Sequence, residues 1–410
     1  MTFYCKKKAF TRSFSTYKQA DFNNYLNKSS LLWLPLHMQS NSTFSPLQFA
    51  KNKNAEFYKV LRQRVNSYFK TRNISRHANA SMVFKTVVMV ALYLTPFILI
   101  TTSGIGSWWV LVLWAIMGVG MAGCGLSVMH DANHGAYSKN PAVNSFIGKI
   151  LIILAGNPAN WRIQHNVLHH TYTNVSNYDE DIAPPPAILR FSPHTKRYKI
   201  HRFQHFYAYF FYGLMTITWF INKDYEQAVR YNKMGLLETQ GLTFKKHLRN
   251  IIVNKVVYAS IFIALPFIFS PAAWYITLIG YLLMQFITGF ILGIIFQPAH
   301  VVPTSTYPLP TPSGDVEADW AVSQMYNTAN FAKESRLFSW YAGGLNYQVE
   351  HHLFPNICHI HYRKLSEIVQ ATAQEFEVPY HSYKTFMGAL KEHTQMLYKL
   401  GNQDAAQAIH

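Results

Sequence analysis

The sequence predicts an all-α integral membrane protein with four transmembrane helices in two hairpins and a helical cap on one side of the bilayer. Three observations carry this expectation: where the charges are missing, where the apolar runs are interrupted, and where the cations collect. Only 14% of the 410 residues are charged, against roughly a quarter in an average soluble domain. The deficit is local. No Lys, Arg, Asp or Glu lies between Lys85 and Asp131, a gap of 45 residues, and none lies from Val256 to Gly314. A spanning helix needs about 20 apolar residues, so each run accommodates two. Two buried hairpins in a soluble protein would not explain charge-free stretches of this length.

The interruptions fall where hairpin turns belong. Ser103 to Ser107 (SGIGS) separates 87–102 from 108–129, and Ser270-Pro271 separates 256–269 from 273–296. All 37 Lys and Arg lie outside the two runs, which by the positive-inside tendency puts both termini and the long middle segment in the cytoplasm. A net charge of +18 then describes a basic face beside anionic headgroups. No basic stretch belongs to a nucleic-acid-binding motif, so nucleic acid is rejected as a partner. Cys5, Cys124 and Cys358 have no metal-ligand or disulfide spacing and suit a reducing compartment.

Three regions are expected: an N-terminal extension and amphipathic helix (1–80), the membrane domain (81–370) and a C-terminal cytoplasmic tail (371–410). Residues 1–37 read as an organelle transit peptide or as an unstructured extension. A basic amphipathic helix is expected within 50–76, with Phe57, Val60, Leu61, Val65 and Phe69 on one side. It either leads to the membrane or packs on the cytoplasmic body. The segment 146–156 is too short to span, 179–186 (DEDIAPPP) is a loop, and a soluble helix covers 365–376. The uncharged stretch 203–222 has the length of a span, but its crowding of Phe and Tyr together with His205 suits an interfacial helix.

The chemistry lies in the histidines. His130-Asp-Ala-Asn-His134 follows the second span. After 30 intervening residues comes His165-Asn-Val-Leu-His169-His170, and Gln348-Val-Glu-His351-His352 lies near the C-terminus. On an α-helix, residues four apart share a face, so His130 meets His134 and His165 meets His169, while His170 points away by about a third of a turn. An eighth histidine, His300, follows the fourth span in Gln297-Pro-Ala-His300. One such pair is often incidental; three in this order beside two membrane hairpins form a metal-binding pattern. Imidazole serves iron, zinc and copper alike. If all of these histidines reach one site, the chain between His170 and His300 crosses the bilayer an even number of times. The stretch 203–222 therefore lies along the membrane.

The order HDxxH, HxxxHH and QxEHH, with QHNVLHHTYTN at 164–174 and GGLNYQVEHHLFP at 343–355, resembles the membrane fatty-acid desaturases over about 80–370. Gln348 resembles the front-end subgroup, which inserts a double bond between an existing one and the carboxyl end. The resemblance implies O2-dependent desaturation of an acyl-CoA or acyl-lipid, with two iron ions held by His130, His134, His165, His169, His170, His300, His351 and His352. Gln348 stands where other desaturases carry a further histidine. Groups expected to orient the imidazoles are Asp131, Asn133, Asn174, Asp179, Asp181, Asn346, Gln348 and Glu350. Trp161 is expected on the substrate path or as an interfacial anchor. His359 and His361 are expected at the surface and tolerant of replacement.

The His-Pro-Gly-Gly haem motif of a fused cytochrome b5 domain is absent, which implies a separate electron donor, cytochrome b5 or ferredoxin. Both are acidic and suit a basic face. Three other readings compete. A related di-iron hydroxylase or ketolase shares the boxes, and the third box favours desaturation. A zinc-dependent membrane hydrolase needs more spans. A metal transporter needs ionisable residues within its spans, which the charge-free runs lack.

Overall fold

A computed structural model describes residues 44–50, 55–185 and 187–403; the transit-peptide or extension reading of 1–37 lies outside them. The chain is mostly helical. The helices that position the site are α1 (Ala55–Thr71), α2 (Ala80–Thr102), α3 (Ser107–Asn133), α4 (Pro158–His169), α5 (Gln204–Gly213), α6 (Phe244–Phe269), α7 (Trp274–Ala299), α8 (Trp320–Asn327), α9 (Gln348–Leu353), α10 (Tyr362–Glu375) and α11 (Phe386–Asn402).

Among the described residues, α2, α3, α6 and α7 are long and apolar enough to cross a membrane. Their outward side chains are apolar and exposed, as at Phe84, Val87, Trp108, Val256 and Leu282, which is what lipid-facing surface requires. The short helix Pro141–Ile153 and α4 could together make a fifth crossing by composition, but they meet at a bend of 109°. The stretch 203–222 is not one long helix. It breaks after Gly213 and resumes as short helical pieces. α5 packs on α7, where Gly289 approaches the carbonyl oxygens of Tyr212 and Gly213 so closely that a Cβ there would lie 2.6 Å from the Tyr212 oxygen.

The spans differ from the charge-free runs at their ends. α6 begins at Phe244, not Val256, and α2 at Ala80, so Lys255 and Lys85 lie within spanning helices. The expectation of spans without formal charge is corrected here. Periodicity in charge marks where lipid begins, while a helix continues into the protein layer as long as its charges find partners. Lys255 finds them: its Nζ donates to Asp224 Oδ2 (2.5 Å), Ala155 O (2.6 Å) and Trp219 O (2.7 Å).

Of the two readings of α1, the structure selects packing on the protein body over use of its apolar side on lipid. Phe57, Leu61, Val65 and Phe69 are buried against Val349, Leu353, Phe354 and Leu365, directly behind the third box. The expected tail after 371 is part of the body. The strand His381–Tyr383 pairs in parallel with Ala329–Phe331, and α11 buries Met396, Leu397 and Leu400 against Phe191, Tyr212 and Val301. A second, two-residue parallel pair joins Gln48–Phe49 to Asp315–Val316.

Candidate metal centre

The first two boxes sit on helices that depart from α geometry. α3 passes through a π-helical turn at Cys124–Met129 just before His130. Arg162–His169 is π-helical throughout, and the His170 N–H donates to the His165 carbonyl five residues back (3.0 Å). π turns are rare and concentrate at functional sites. The wider turn sets the direction of His170, which stands off the face shared by His165 and His169 but within the cluster: its Nε2 lies 3.3 Å from His165 Nε2 and 3.0 Å from His351 Nε2.

All eight histidines singled out from the sequence converge. One group holds His130, His134, His165 and His351; a second holds His169, His300 and His352. His170 joins the two, its ring 4.4 Å from that of His352. His300, outside the boxes, comes within 4.7 Å of the His169 ring. Buried polar atoms nearly always have a hydrogen-bond partner, yet the Nε2 atoms of His134, His169, His300 and His352 have none.

The opposite ring nitrogens explain the orientation. His165 Nδ1 donates to Asp181 Oδ2 (2.6 Å) and His169 Nδ1 to the Asp179 carboxylate (2.9 Å). His300 Nδ1 donates to Asn327 O (3.2 Å), His351 Nδ1 to the Tyr362 hydroxyl (3.2 Å) and His352 Nδ1 to Gln324 Oε1 (2.8 Å). Fixing Nδ1 as the protonated nitrogen leaves the Nε2 lone pair for a metal. Burial keeps the rings neutral, as a ligand must be. It pushes His165, His170, His351 and His352 well below the usual imidazole range, with neighbouring imidazoles adding to the effect, and lowers His300 to about 3. At His169 burial works the same way, but the Asp179 carboxylate outweighs it and raises the pKa.

The other expected orienting groups are distributed more widely. Asn174 ties two parts together, its N–H donating to Asp179 Oδ2 (2.8 Å) and its amide to His300 O (3.0 Å). Asn133 uses its amide on Met129 O and Gly148 O and accepts from Arg162. Asn346 donates to Phe331 O and Ser339 Oγ. Glu350 accepts from Tyr380 and Asn330, both at 2.8 Å, and burial lifts it to about 7. Gln348 is fully buried with both amide atoms unpartnered, and it lies one turn before His351 and His352. Trp161 is buried with its ring 4.5 Å from that of His165 and within 5.5 Å of those of His130 and His134. Sequence reasoning missed Gln324, Asn327 and Tyr362, which lie outside the boxes and carry no local signal.

The expectation of surface histidines after the third box is overturned. His361 is half-buried, its ring edge-on to Phe69. His359 is buried between two ions. Its Nδ1 lies 2.8 Å and its N–H 3.1 Å from Asp131 Oδ2, while its Nε2 lies 2.6 Å from Lys85 Nζ. Asp131 in turn stands 3.9 Å from His130 Nδ1. A run of Lys85, His359 and Asp131 thus backs the first box, with Cys358 close by.

A family profile described as Fatty acid desaturase matches residues 106–384. The chain belongs to the fatty acid desaturase family. The desaturase is 34% identical over 358 residues to an acyl-lipid (8-3)-desaturase of Physcomitrium patens, covering 87% of this chain and 74% of that one. It is 33% identical over 347 residues to an sn-1 linoleoyl-lipid 6-desaturase of Synechocystis sp., with 84% and 95% covered. A protein of the same description from Arthrospira platensis is 31% identical over 370 residues, with 90% and 98% covered. As in the rest of the family, its chemistry is that of an oxidoreductase.

Replacing His359 by Ala removes the ring that links buried Lys85 to buried Asp131 and leaves the carboxylate only the backbone N–H at 359 and the nearby His130, a loss on the scale of about 3–5 kcal/mol for a broken buried ion pair. The His359→Ala desaturase is therefore expected to melt at a clearly lower temperature in detergent and to hold less metal. A melting curve and metal content equal to those of the unaltered chain would restore the surface reading.

Proposed function

We propose that the desaturase is a front-end enzyme that uses two iron ions, O2 and electrons from a separate carrier to place a cis double bond in an acyl chain already unsaturated. The observation that carries this is the convergence of eight imidazoles, seven of them buried, in two groups joined by His170. Such a set fits two metal ions, and unpartnered Nε2 atoms are the lone pairs they would take. Bound iron would supply the O2 activation that breaking an unactivated C–H bond requires, which zinc, lacking redox chemistry, would not. The protein's part is to hold the donors. Asp179, Asp181, Gln324, Tyr362 and the Asn327 carbonyl orient five rings through Nδ1, and the apolar ring of Trp161 packs beside those of His130, His134 and His165.

Two relatives are described as acting on linoleoyl-lipid and one on an acyl-lipid, which supports a lipid-linked acyl group over acyl-CoA. Gln348 at the head of the third box supports the front-end position. The confinement of Lys and Arg to the segments outside the two charge-free runs supports a cytoplasmic site and cytoplasmic termini.

Three outcomes are expected. His169→Ala and His352→Ala each abolish desaturation and lower bound iron from about two per chain; full iron and normal turnover in both would refute the ligand assignment. A reporter joined after residue 235 reads out in the cytoplasm, and an outside signal would break the even number of crossings. A host expressing the desaturase and fed labelled linoleate forms a new double bond on the carboxyl side of the existing ones. A product from labelled stearate with linoleate untouched would remove the front-end assignment while leaving the iron chemistry standing.

A further inference from the structure

α1 covers the third box with its apolar side and turns a basic side outward. Its fully exposed positions, from Glu56 through Lys59, Arg62, Asn66 and Lys70 to Thr71, are all polar or charged. Glu56 is the one acid in the helix, paired with Lys59 at 3.1 Å. Arg62 lies close enough to Tyr58 for its charge to act on the phenol. With Phe57, Leu61, Val65 and Phe69 already buried in the protein, the helix has no apolar side left to insert between lipids, as a helix bound at a membrane surface requires. Its outward side is built for a soluble, acidic partner.

Tyr58 lies on the border between the two sides, half-buried, and it begins a short path inward. Its ring meets that of Trp320 at 5.3 Å, edge to face. The Trp320 indole N–H donates to the carbonyl of His170 (3.1 Å), the histidine that joins the two imidazole groups. The Tyr58 hydroxyl donates to the carbonyl of Leu353 (3.1 Å), the residue after His352. From the basic surface, two contacts reach the backbone of the imidazole cluster.

We propose that the outward side of α1 docks an acidic one-electron carrier protein and that Tyr58 and Trp320 form the route by which its electrons reach the histidine cluster. The proposal rests on the desaturase reading above. Reducing O2 to two waters takes four electrons and four protons. The acyl chain gives two of each as its double bond forms, and two electrons come from the carrier, which loses one per encounter, with two protons from solvent. Tyr58 and Trp320 conduct and are not themselves altered.

The test uses the full chain in nanodiscs of neutral lipid and follows reoxidation of a reduced soluble cytochrome b5 domain and of a reduced plant-type ferredoxin. The Arg62→Glu, Lys70→Glu double variant should lower the second-order rate constant by about tenfold at low salt, a difference that fades at high salt. Its metal content and melting temperature should match the unaltered chain. Tyr58→Leu and Trp320→Leu should leave carrier affinity unchanged and lower the limiting transfer rate at saturating carrier, and Tyr58→Phe, which keeps the ring, should recover it. Rate constants unaffected by charge reversal for both carriers would overturn the proposal. So would a reversal that weakens only binding to phosphatidylserine-containing vesicles, which would make this side a lipid contact. Dithionite-driven turnover of the unaltered chain separates the two levels: no product there sinks the desaturase reading itself, while product with dithionite but no oxidation of either carrier sinks only the docking proposal.

Discussion

Bringing eight imidazoles together inside protein is the constraint on which the rest of this structure depends. Neutral rings with lone pairs facing one another gain nothing from the arrangement, and protonating them would place like charges a few ångströms apart in a buried space. The cluster exists only because each ring is held from behind. Carboxylates, an amide, a phenol and a backbone carbonyl take the Nδ1 protons of five rings, fixing tautomer and direction together. The groups that do this come from the loop after the second box, from α8 and its end, and from α10. Much of the protein outside the four long apolar helices is therefore organised as a holder for rings presented by other elements.

The same demand shapes the helices beneath. The π turns of α3 and α4 cost regular hydrogen bonding, and they repay it in direction: His165, His169 and His170 all turn inward from one short stretch. The bend of 109° ahead of α4 returns the chain beside the end of α3, so that two boxes meet. That bend is held by polar links that would be expensive in lipid and are satisfied here. Asp224 accepts from Lys255 and from the Asn160 amide, and the Asn160 oxygen faces His247 Nε2 at 2.7 Å. Lys85, His359 and Asp131 play a matching part behind the first box. In both places a lysine on a spanning helix is matched by an aspartate, directly at Asp224 and through the His359 ring at Asp131.

A good part of this was legible in the linear chain. The four spans follow from charge-free runs because a bilayer tolerates few unpaired charges along any helix. The eight histidines follow from three short spacings and one position at a helix exit, because metal-binding imidazoles must come in clusters and those spacings are local. What the chain determined by itself was thus the set of spans and the set of rings. Only the tertiary structure decided how the rings face one another and what holds them. His170 turns inward because α4 is wound as a π-helix, and no spacing rule anticipates that winding. His359 is buried because α2 delivers Lys85 to it from 274 positions away, and Gln324, Asn327 and Tyr362 act on histidines that are distant in sequence. α1 and α11 read as peripheral for the same reason. Amphipathicity records that a side will be buried but carries no information on whether lipid or protein will cover it, and that choice is made by contacts between segments far apart in the chain.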